Sequence, residues 1–152
     1  MYFIAYFNSS IRIITRGIMK KPVSIPLEIE EQKMYTDWLD MNNIMYFAVP
    51  NVVTLAKNLR TVGQKVNFWR MRKKEGIKKG VPDLVVFLPN QILFVEMKRQ
   101  KRSYPSAEQK KWIENINLFG YAYAEVTKGG QQAIELTNKL LLETKQKAQD
   151  NE

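Results

Sequence analysis

The pattern of apolar and polar positions predicts a mixed α/β domain. Apolar residues at three- and four-residue spacing are typical of helices that bury one face. They recur in four stretches: residues 26–41, 66–75, 106–120 and 131–143. Short β-branched or aromatic runs between turn residues are typical of strands. They occur at residues 44–49, 84–88, 92–97 and 121–126.

Turn and capping residues refine these boundaries. Residues 106–109 (SAEQ) form a capping box that opens the helix after them. Gly76 and Gly120 are each predicted to end a helix, because glycine readily adopts the left-handed conformation found there. Residues 53–59 favour a further helix, and residues 61–63 favour a loop.

The two apolar strands on either side of residues 89–91 are predicted to form an antiparallel hairpin, since that segment is a tight turn. The whole order is helix, strand, one or two helices, two hairpin strands, helix, strand, helix. This order indicates an α/β sandwich, with a small mixed sheet and helices on both of its faces.

The chain of 152 residues suits one domain at residues 22–144, with an N-terminal extension at 1–21 and a polar tail at 145–152. The first eighteen residues carry no acidic side chain and precede Met19-Lys20-Lys21-Pro22. Two interpretations stay open. The extension is an extra strand or arm on the domain or a partner subunit, or it is a poorly ordered or non-native leader before a start at Met19.

The composition shows a net positive charge and excludes catalysis and metal sites that depend on His or Cys. There are 24 Lys and Arg against 15 Asp and Glu, which gives a net charge of +9 on a chain that is 45% hydrophobic. A folded basic domain favours a polyanion as partner, with an acidic membrane second. The absence of His and Cys excludes Ser–His and Cys–His catalysis and imidazole or thiolate zinc sites. Residues 1–7, the longest apolar run, are too short to span a membrane, and they lack the features of a secretion signal.

A cluster of charged side chains is predicted at one end of the hairpin. Glu96 and Lys98 are two apart on an extended strand and therefore project to the same side, while Met97 points into the core. Antiparallel pairing folds Asp83 back to about the level of Met97. Two carboxylates and one ammonium therefore converge.

Such a pair of carboxylates repels itself unless a cation is present, and Mg²⁺ or Mn²⁺ prefers carboxylate oxygens. A bound ion of this kind activates water, which suits a chain without His or Cys. The competing interpretation is a solvated Glu–Lys salt bridge on an edge strand. Asp83 at a strand entrance and Glu96 at the end of a nearly all-apolar strand favour a function.

Three segments of the chain resemble the VRR-NUC branch of the PD-(D/E)XK nucleases. They are residues 76–84 (GIKKGVPDL), 93–99 (LFVEMKR) and 106–112 (SAEQKKW). The resemblance runs from about residue 27 to about residue 127. It implies a restriction-endonuclease-like three-layer core of the αβββαβ type, in which a small mixed sheet is flanked by helices.

The resemblance also implies roles for individual residues. Asp83 and Glu96 would bind Mg²⁺ or Mn²⁺ with the backbone carbonyl of Met97, and Lys98 would be the catalytic lysine. Gln109 falls where the family has a glutamine, in addition to its capping role.

A glutamate on the first helix usually completes the acidic cluster, with a glutamine one turn later. Glu28 and Gln32 fit that i, i+4 spacing. Glu31 is the rival, and an ordinary surface Glu favoured by the helix dipole is the alternative for this position.

Basic residues lie in sequence on both sides of the acidic residues. They are interpreted as phosphate contacts, against the usual interpretation of a solvated face. The predicted DNA-binding residues are Arg70, Arg72, Lys73, Lys74, Lys78, Lys79, Arg99, Lys101, Arg102, Lys110 and Lys111. Tyr104 could stack on a base but is more simply a packing residue, and Trp38, Trp69 and Trp112 are predicted to lie in the core.

The expected function is metal-dependent endonucleolytic hydrolysis of DNA, with selectivity for branched or junction structures. Small stand-alone relatives resemble phage or mobile-element proteins, and some resemble Holliday-junction resolvases, so a cytoplasmic homodimer without membrane contact is expected. Two alternatives stay open. One is a restriction- or repair-type nuclease with another DNA substrate, and the other is a non-catalytic nucleic-acid-binding module.

Overall fold

A computed structural model describes residues 26–50, 59–101 and 103–149 of the chain. The elements within these residues are α1 (Glu28–Met41), β1 (Tyr46–Ala48), α2 (Val62–Lys74), β2 (Leu84–Leu88), β3 (Gln91–Lys98), α3 (Ala107–Ile116), β4 (Ala122–Lys128) and α4 (Gly130–Gln149). None of these helices is long and apolar enough to cross a membrane.

The strands form one sheet in the order β1-β2-β3-β4. β1 pairs with β2 and β2 with β3 in antiparallel fashion, and β3 pairs with β4 in parallel. The predicted hairpin is confirmed, with Leu84 opposite Val95. The mixed sheet and its flanking helices also confirm the predicted α/β sandwich.

One face of the sheet carries the hydrophobic core. Alternate side chains of β2 and β3 point to this face, since strand residues alternate in direction. The buried core comprises Tyr35, Leu39, Leu84, Val86, Leu88, Leu93, Val95, Met97, Ala133 and Leu140. Residues of α1 and α4 belong to this cluster, and the Tyr35 hydroxyl lies 2.6 Å from Oγ1 of Thr137 to join the two helices. The other side chains of β2 and β3 therefore point to the opposite face of the sheet.

α3 lies against β4 on that opposite face. The Asn117 side chain makes two hydrogen bonds with the backbone of Ala124: its Nδ2 donates to the carbonyl at 3.0 Å and its Oδ1 accepts from the N–H at 2.7 Å. These bonds also explain why α3 ends at Ile116 instead of the predicted Gly120, because the next residue caps the helix and turns its side chain to the strand.

Two other helices differ from the predicted boundaries. The predicted loop at residues 61–63 is wrong: Thr61 caps α2, because its side chain accepts from the Gln64 N–H at 3.2 Å and Gln64 reaches back to the Thr61 N–H at 3.1 Å. α4 extends to Gln149, past the predicted end at residue 143. The helix predicted at residues 53–59 falls almost entirely on residues 51–58, which lie outside the described residues.

Candidate active site

Asp83 is held at the start of β2 by bonds to both neighbouring strands. Its carbonyl accepts from the Val49 N–H at 2.8 Å, next to β1. Its carboxylate oxygen Oδ2 accepts from the Met97 N–H on β3 at 2.9 Å. When the strand register is continued from the Leu84–Val95 pair, Asp83 lies opposite Glu96. The sequence predicted the level of Met97, one residue further along β3. The backbone therefore aims the Asp83 carboxylate at the end of β3.

Glu96 and Lys98 lie side by side at that end of β3. Lys98 Nζ donates to Glu96 Oε1 at 2.5 Å, and Glu96 is 0% exposed while Lys98 is 8% exposed. The pair is buried, unlike the solvated surface salt bridge that was the alternative interpretation. The structure thus brings Asp83, Glu96 and Lys98 together.

Gln109 joins this group from the first turn of α3. Its side-chain oxygen accepts from the Ser106 N–H at 2.7 Å, and its own N–H donates to Ser106 Oγ at 3.2 Å, which is the predicted capping box. Its amide nitrogen Nε2 donates to Glu96 Oε1. The capping box leaves the amide donor free to turn inward, so one side chain both starts the helix and contacts the acidic pair.

The two carboxyl groups are held in an environment that disfavours their charges. Burial, with repulsion from Asp83 next, raises the pKa of Glu96 to about 7. Burial also raises the pKa of Asp83, against the lowering effect of the Met97 N–H and the Lys98 ammonium. At neutral pH the pair therefore carries less than its full negative charge until another cation is supplied.

Lys98 stays protonated at neutral pH. Burial lowers its pKa, but the hydrogen bond and the charge of Glu96, together with Glu28 and Asp83, raise the pKa above the usual value. Lys98 therefore acts as an ammonium that donates hydrogen bonds and stabilises negative charge, and it does not serve as a base in this state.

The acidic pair fits a divalent cation. Oε2 of Glu96 is buried and accepts no hydrogen bond from a donor group of the described residues, although Oε1 accepts two. The side chains of Asp83 and Glu96 can share a hydrogen bond only while one of the two carboxyls holds a proton. An unpaired carboxylate oxygen in a buried site is costly unless a ligand satisfies it. Carboxylate oxygens are the ligands that Mg²⁺ and Mn²⁺ prefer, and the raised pKa of both carboxyls is relieved by a positive ion.

The two candidate glutamates of α1 have different surroundings. Glu31 is buried, and its carboxylate accepts from the Gly130 N–H at 2.8 Å and from Gln100 Nε2 at 2.9 Å. It therefore binds the start of α4. Glu28 acts electrostatically on both Glu96 and Lys98. Within the described residues, however, no three acidic side chains gather closely enough to hold a metal, so Glu28 is near the Asp83–Glu96 pair without joining it.

A cleft of about 480 Å³ opens beside the acidic pair. Its walls come from the end of β1, from α2, from the turn before β2 and from the first turn of α3. The lining residues are Val49, Pro50, Trp69, Ile77, Lys78, Lys79, Gly80, Val81, Asp83, Ser106, Glu108 and Gln109. The Trp112 indole N–H donates to the Lys79 carbonyl at 2.9 Å and fixes the turn to α3.

Gly80 sets the distance between this turn and α3, and replacing it should destabilise the protein. Gly80 has a φ of 78°, and a Cβ there would lie 2.7 Å from the backbone carbon of Glu108 and 2.8 Å from the Gln109 nitrogen. Gly80→Ala is therefore expected to lower the free energy of unfolding by about 2–4 kcal/mol, from backbone strain and overpacking together. Urea unfolding measures this value.

Gly76 provides the matched control. Its φ is 84°, but a Cβ would meet nothing within 4 Å. Gly76→Ala should cost only the left-handed strain of about 1–2 kcal/mol. Equal losses in the two variants would show that α3 accommodates a Cβ at position 80 without further cost.

The predicted DNA-binding residues differ in their surroundings. Lys78 and Lys79 line the cleft. Arg72 is paired with Glu75 at 2.6 Å, and Arg99 Nε donates to the Pro26 carbonyl at 3.3 Å. Several others are exposed: Arg70, Lys73, Lys74, Lys101, Lys110 and Lys111. Arg102 lies outside the described residues.

Some aromatic residues have positions that the sequence did not indicate. Trp38 packs on the core as predicted, but Trp69 and Trp112 are not among the described residues that form the core cluster or pack on it. Trp69 lies at the cleft with the Lys79 ammonium 4.8 Å from its ring centroid. Tyr104 is exposed, with the Lys128 ammonium 5.0 Å from its ring centroid. A helical spacing cannot distinguish a Trp that faces the core from one that faces a cleft.

Comparison with known proteins agrees with the predicted restriction-endonuclease-like fold. The family model for the VRR-NUC domain matches residues 30–129. A solved structure described as a VRR_NUC domain protein is similar to this chain with a TM-score of 0.57 at 23% sequence identity, covering 77% of this chain and 89% of that chain. At this identity the likeness shows the fold. No protein of the curated set is a significant match.

Proposed function

Because the chain belongs to the VRR-NUC family of restriction-endonuclease-like nucleases, we propose that it is a metal-dependent endonuclease that hydrolyses phosphodiester bonds of DNA. The observation that carries the proposal is the buried Glu96 Oε2, which accepts no hydrogen bond from the part of the chain that the structure describes and lies beside a second carboxylate and a buried ammonium. A protein that only bound DNA would gain nothing from burying two carboxylates next to its phosphate contacts.

Each residue of the site would have a separate role. Asp83 and Glu96, with the Met97 carbonyl, would hold Mg²⁺ or Mn²⁺, and Glu28 would add negative charge nearby. When bound, such an ion polarises a phosphoryl oxygen and lowers the pKa of a water molecule. Lys98 would donate hydrogen bonds to the attacking water and to the phosphate oxygens as charge develops on them. Gln109 would keep Glu96 oriented, so that its other carboxylate oxygen faces the ion.

The basic surface would bring the DNA backbone to this site. The net charge of +9 and the exposed Lys and Arg on α2, α3 and the loop after β3 supply sequence-independent phosphate contacts. A domain of this size offers little further surface for base contacts in a groove. Selectivity for DNA structure, such as a branch or a four-way junction, is therefore favoured over sequence-specific recognition. A homodimer would match the two-fold character of a junction.

Cleavage assays test the proposal. The chain is incubated with Mg²⁺, with Mn²⁺ or with EDTA, on a linear duplex, a flap and a four-way junction built from the same strands. The expected result is cleavage that requires a divalent ion and is fastest on a branched substrate. Faster cutting of the linear duplex would favour a restriction- or repair-type enzyme. Binding without cleavage under every condition would favour the non-catalytic module.

A further inference from the structure

The cleft beside the acidic pair has the size and placement of a ligand site. Its volume of about 480 Å³ falls in the range of about 300–1,000 Å³ that is usual for pockets holding small-molecule ligands. Asp83 and Gln109 form part of its wall. Any group bound in this cleft therefore lies next to the position where a phosphate would react.

One wall of the cleft is apolar and aromatic. Trp69, Ile77 and Val49 contribute to it. Trp69 belongs to α2, on which no side chain is fully buried; its indole is half-buried and packs edge-to-face on Phe68, so the ring lies at the wall of the cleft. Aromatic side chains at a nucleic-acid-binding surface stack on unpaired bases, since every base has a π-face.

Positive charge lies at the same place. The Lys79 ammonium lies over the Trp69 ring, 4.8 Å from its centroid, so a base that stacks on this face has to displace it; Lys78 also lines the cleft. An aromatic ring beside two ammonium groups matches the base and the phosphate of one nucleotide. The turn that carries the lysines is held to α3 by the Trp112–Lys79 hydrogen bond and by the close approach of Gly80 to Glu108. The site is therefore built before DNA binds.

We propose that this cleft binds one unpaired nucleotide of the DNA substrate, with its base against Trp69 and its phosphate beside Lys78, Lys79 and the acidic pair. This inference rests on the proposed nuclease function and names the substrate class of the same site. In a fully paired duplex every base is stacked inside the helix, and extruding one costs free energy. The cost is lowest for a base that is already unpaired, as in a bulge, a flap or a junction. The cleft would thus select the DNA structure.

Two duplexes of the same sequence test the proposal, one fully paired and one with a single unpaired 2-aminopurine. In EDTA, the fluorescence of the unpaired 2-aminopurine should fall when the wild-type protein binds, because the base stacks on the indole. With Mg²⁺, kcat/KM should be higher on the duplex with the unpaired base. Trp69→Ala should remove the quenching and lower kcat/KM on that duplex by about 5- to 150-fold, with little effect on the paired duplex. Trp69→Phe should have an intermediate effect.

Met71→Ala is the matched control, since Met71 lies on the same helix, is exposed and does not line the cleft. It should behave as the wild type. The proposal would be overturned if Trp69→Ala lowered kcat/KM equally on both duplexes, or if the quenching of 2-aminopurine survived this substitution. The binding experiment needs no cleavage. If the wild type cuts neither duplex, a quenching that depends on Trp69 would still support the cleft while the nuclease function fails.

Discussion

Replacing Asp83 by Asn or Lys98 by Ala is expected to lower the rate of Mg²⁺-dependent DNA cleavage at least 100-fold and to leave DNA affinity within about threefold of the wild type. Asp83→Asn keeps an oxygen that can accept from the Met97 N–H, so the strand contact survives while the charge is lost. Lys98→Ala removes the ammonium that would stabilise charge on the phosphate. The exposed lysines and arginines, which would provide most of the affinity, are unchanged in both variants.

Single-turnover cleavage and a fluorescence-anisotropy titration at one fixed salt concentration measure the two quantities. Asp37→Asn and Lys33→Ala are suitable controls for the charge changes, because these residues form an exposed ion pair on α1. Each control should cleave as the wild type does. Cleavage at the normal rate by Lys98→Ala would contradict the mechanism, and a large loss of affinity in either site variant would show that the site contributes mainly to binding.

The hairpin and the grouping of its charged side chains could be predicted from the sequence because they depend on local rules. The two-residue turn at residues 89–90 fixes the pairing of β2 with β3, and the two-residue period of a strand then sets Glu96 and Lys98 on one side. The family model that matches residues 30–129 agrees with the predicted fold class and family. The capping box of α3 was equally local, since it needs only Ser106 and Gln109 three residues apart.

Features that depend on contacts between distant elements could not be predicted. The spacing to Gln32 favours Glu28 over Glu31 for the acidic cluster, but only the packing of α1 against α4 shows that Glu31 binds the Gly130 N–H. Trp69 has the spacing of a core residue, yet the cleft it lines also requires the turn before β2 and the first turn of α3. Nothing in the sequence around Gly80 indicates that α3 approaches this residue so closely.

A pH dependence of stability is expected from Glu96 in the metal-free protein. Its pKa is raised from 4.5 to about 7, so the folded state favours the protonated carboxyl. The stability that this preference contributes is complete below about pH 4.5 and is lost as the pH rises through about 7. The difference corresponds to up to about 3 kcal/mol between pH 5 and 8. The raised pKa of Asp83 adds in the same direction, while that of Lys98 acts only in the alkaline range.

Glu96→Gln should remove most of this dependence, because the amide oxygen can still accept from Lys98 and Gln109 but does not titrate. Urea unfolding in EDTA at pH 5, 6, 7 and 8 compares the two proteins, and the wild type should lose stability relative to the variant as the pH rises. Adding Mn²⁺ should then raise the free energy of unfolding of the wild type more at pH 8 than at pH 5, since only the ionised carboxylate binds the ion. The free energy of unfolding of the variant should be nearly unchanged by Mn²⁺. Parallel pH curves for the two proteins, or equal stabilisation by Mn²⁺, would mean that Glu96 neither titrates near neutrality nor holds the metal.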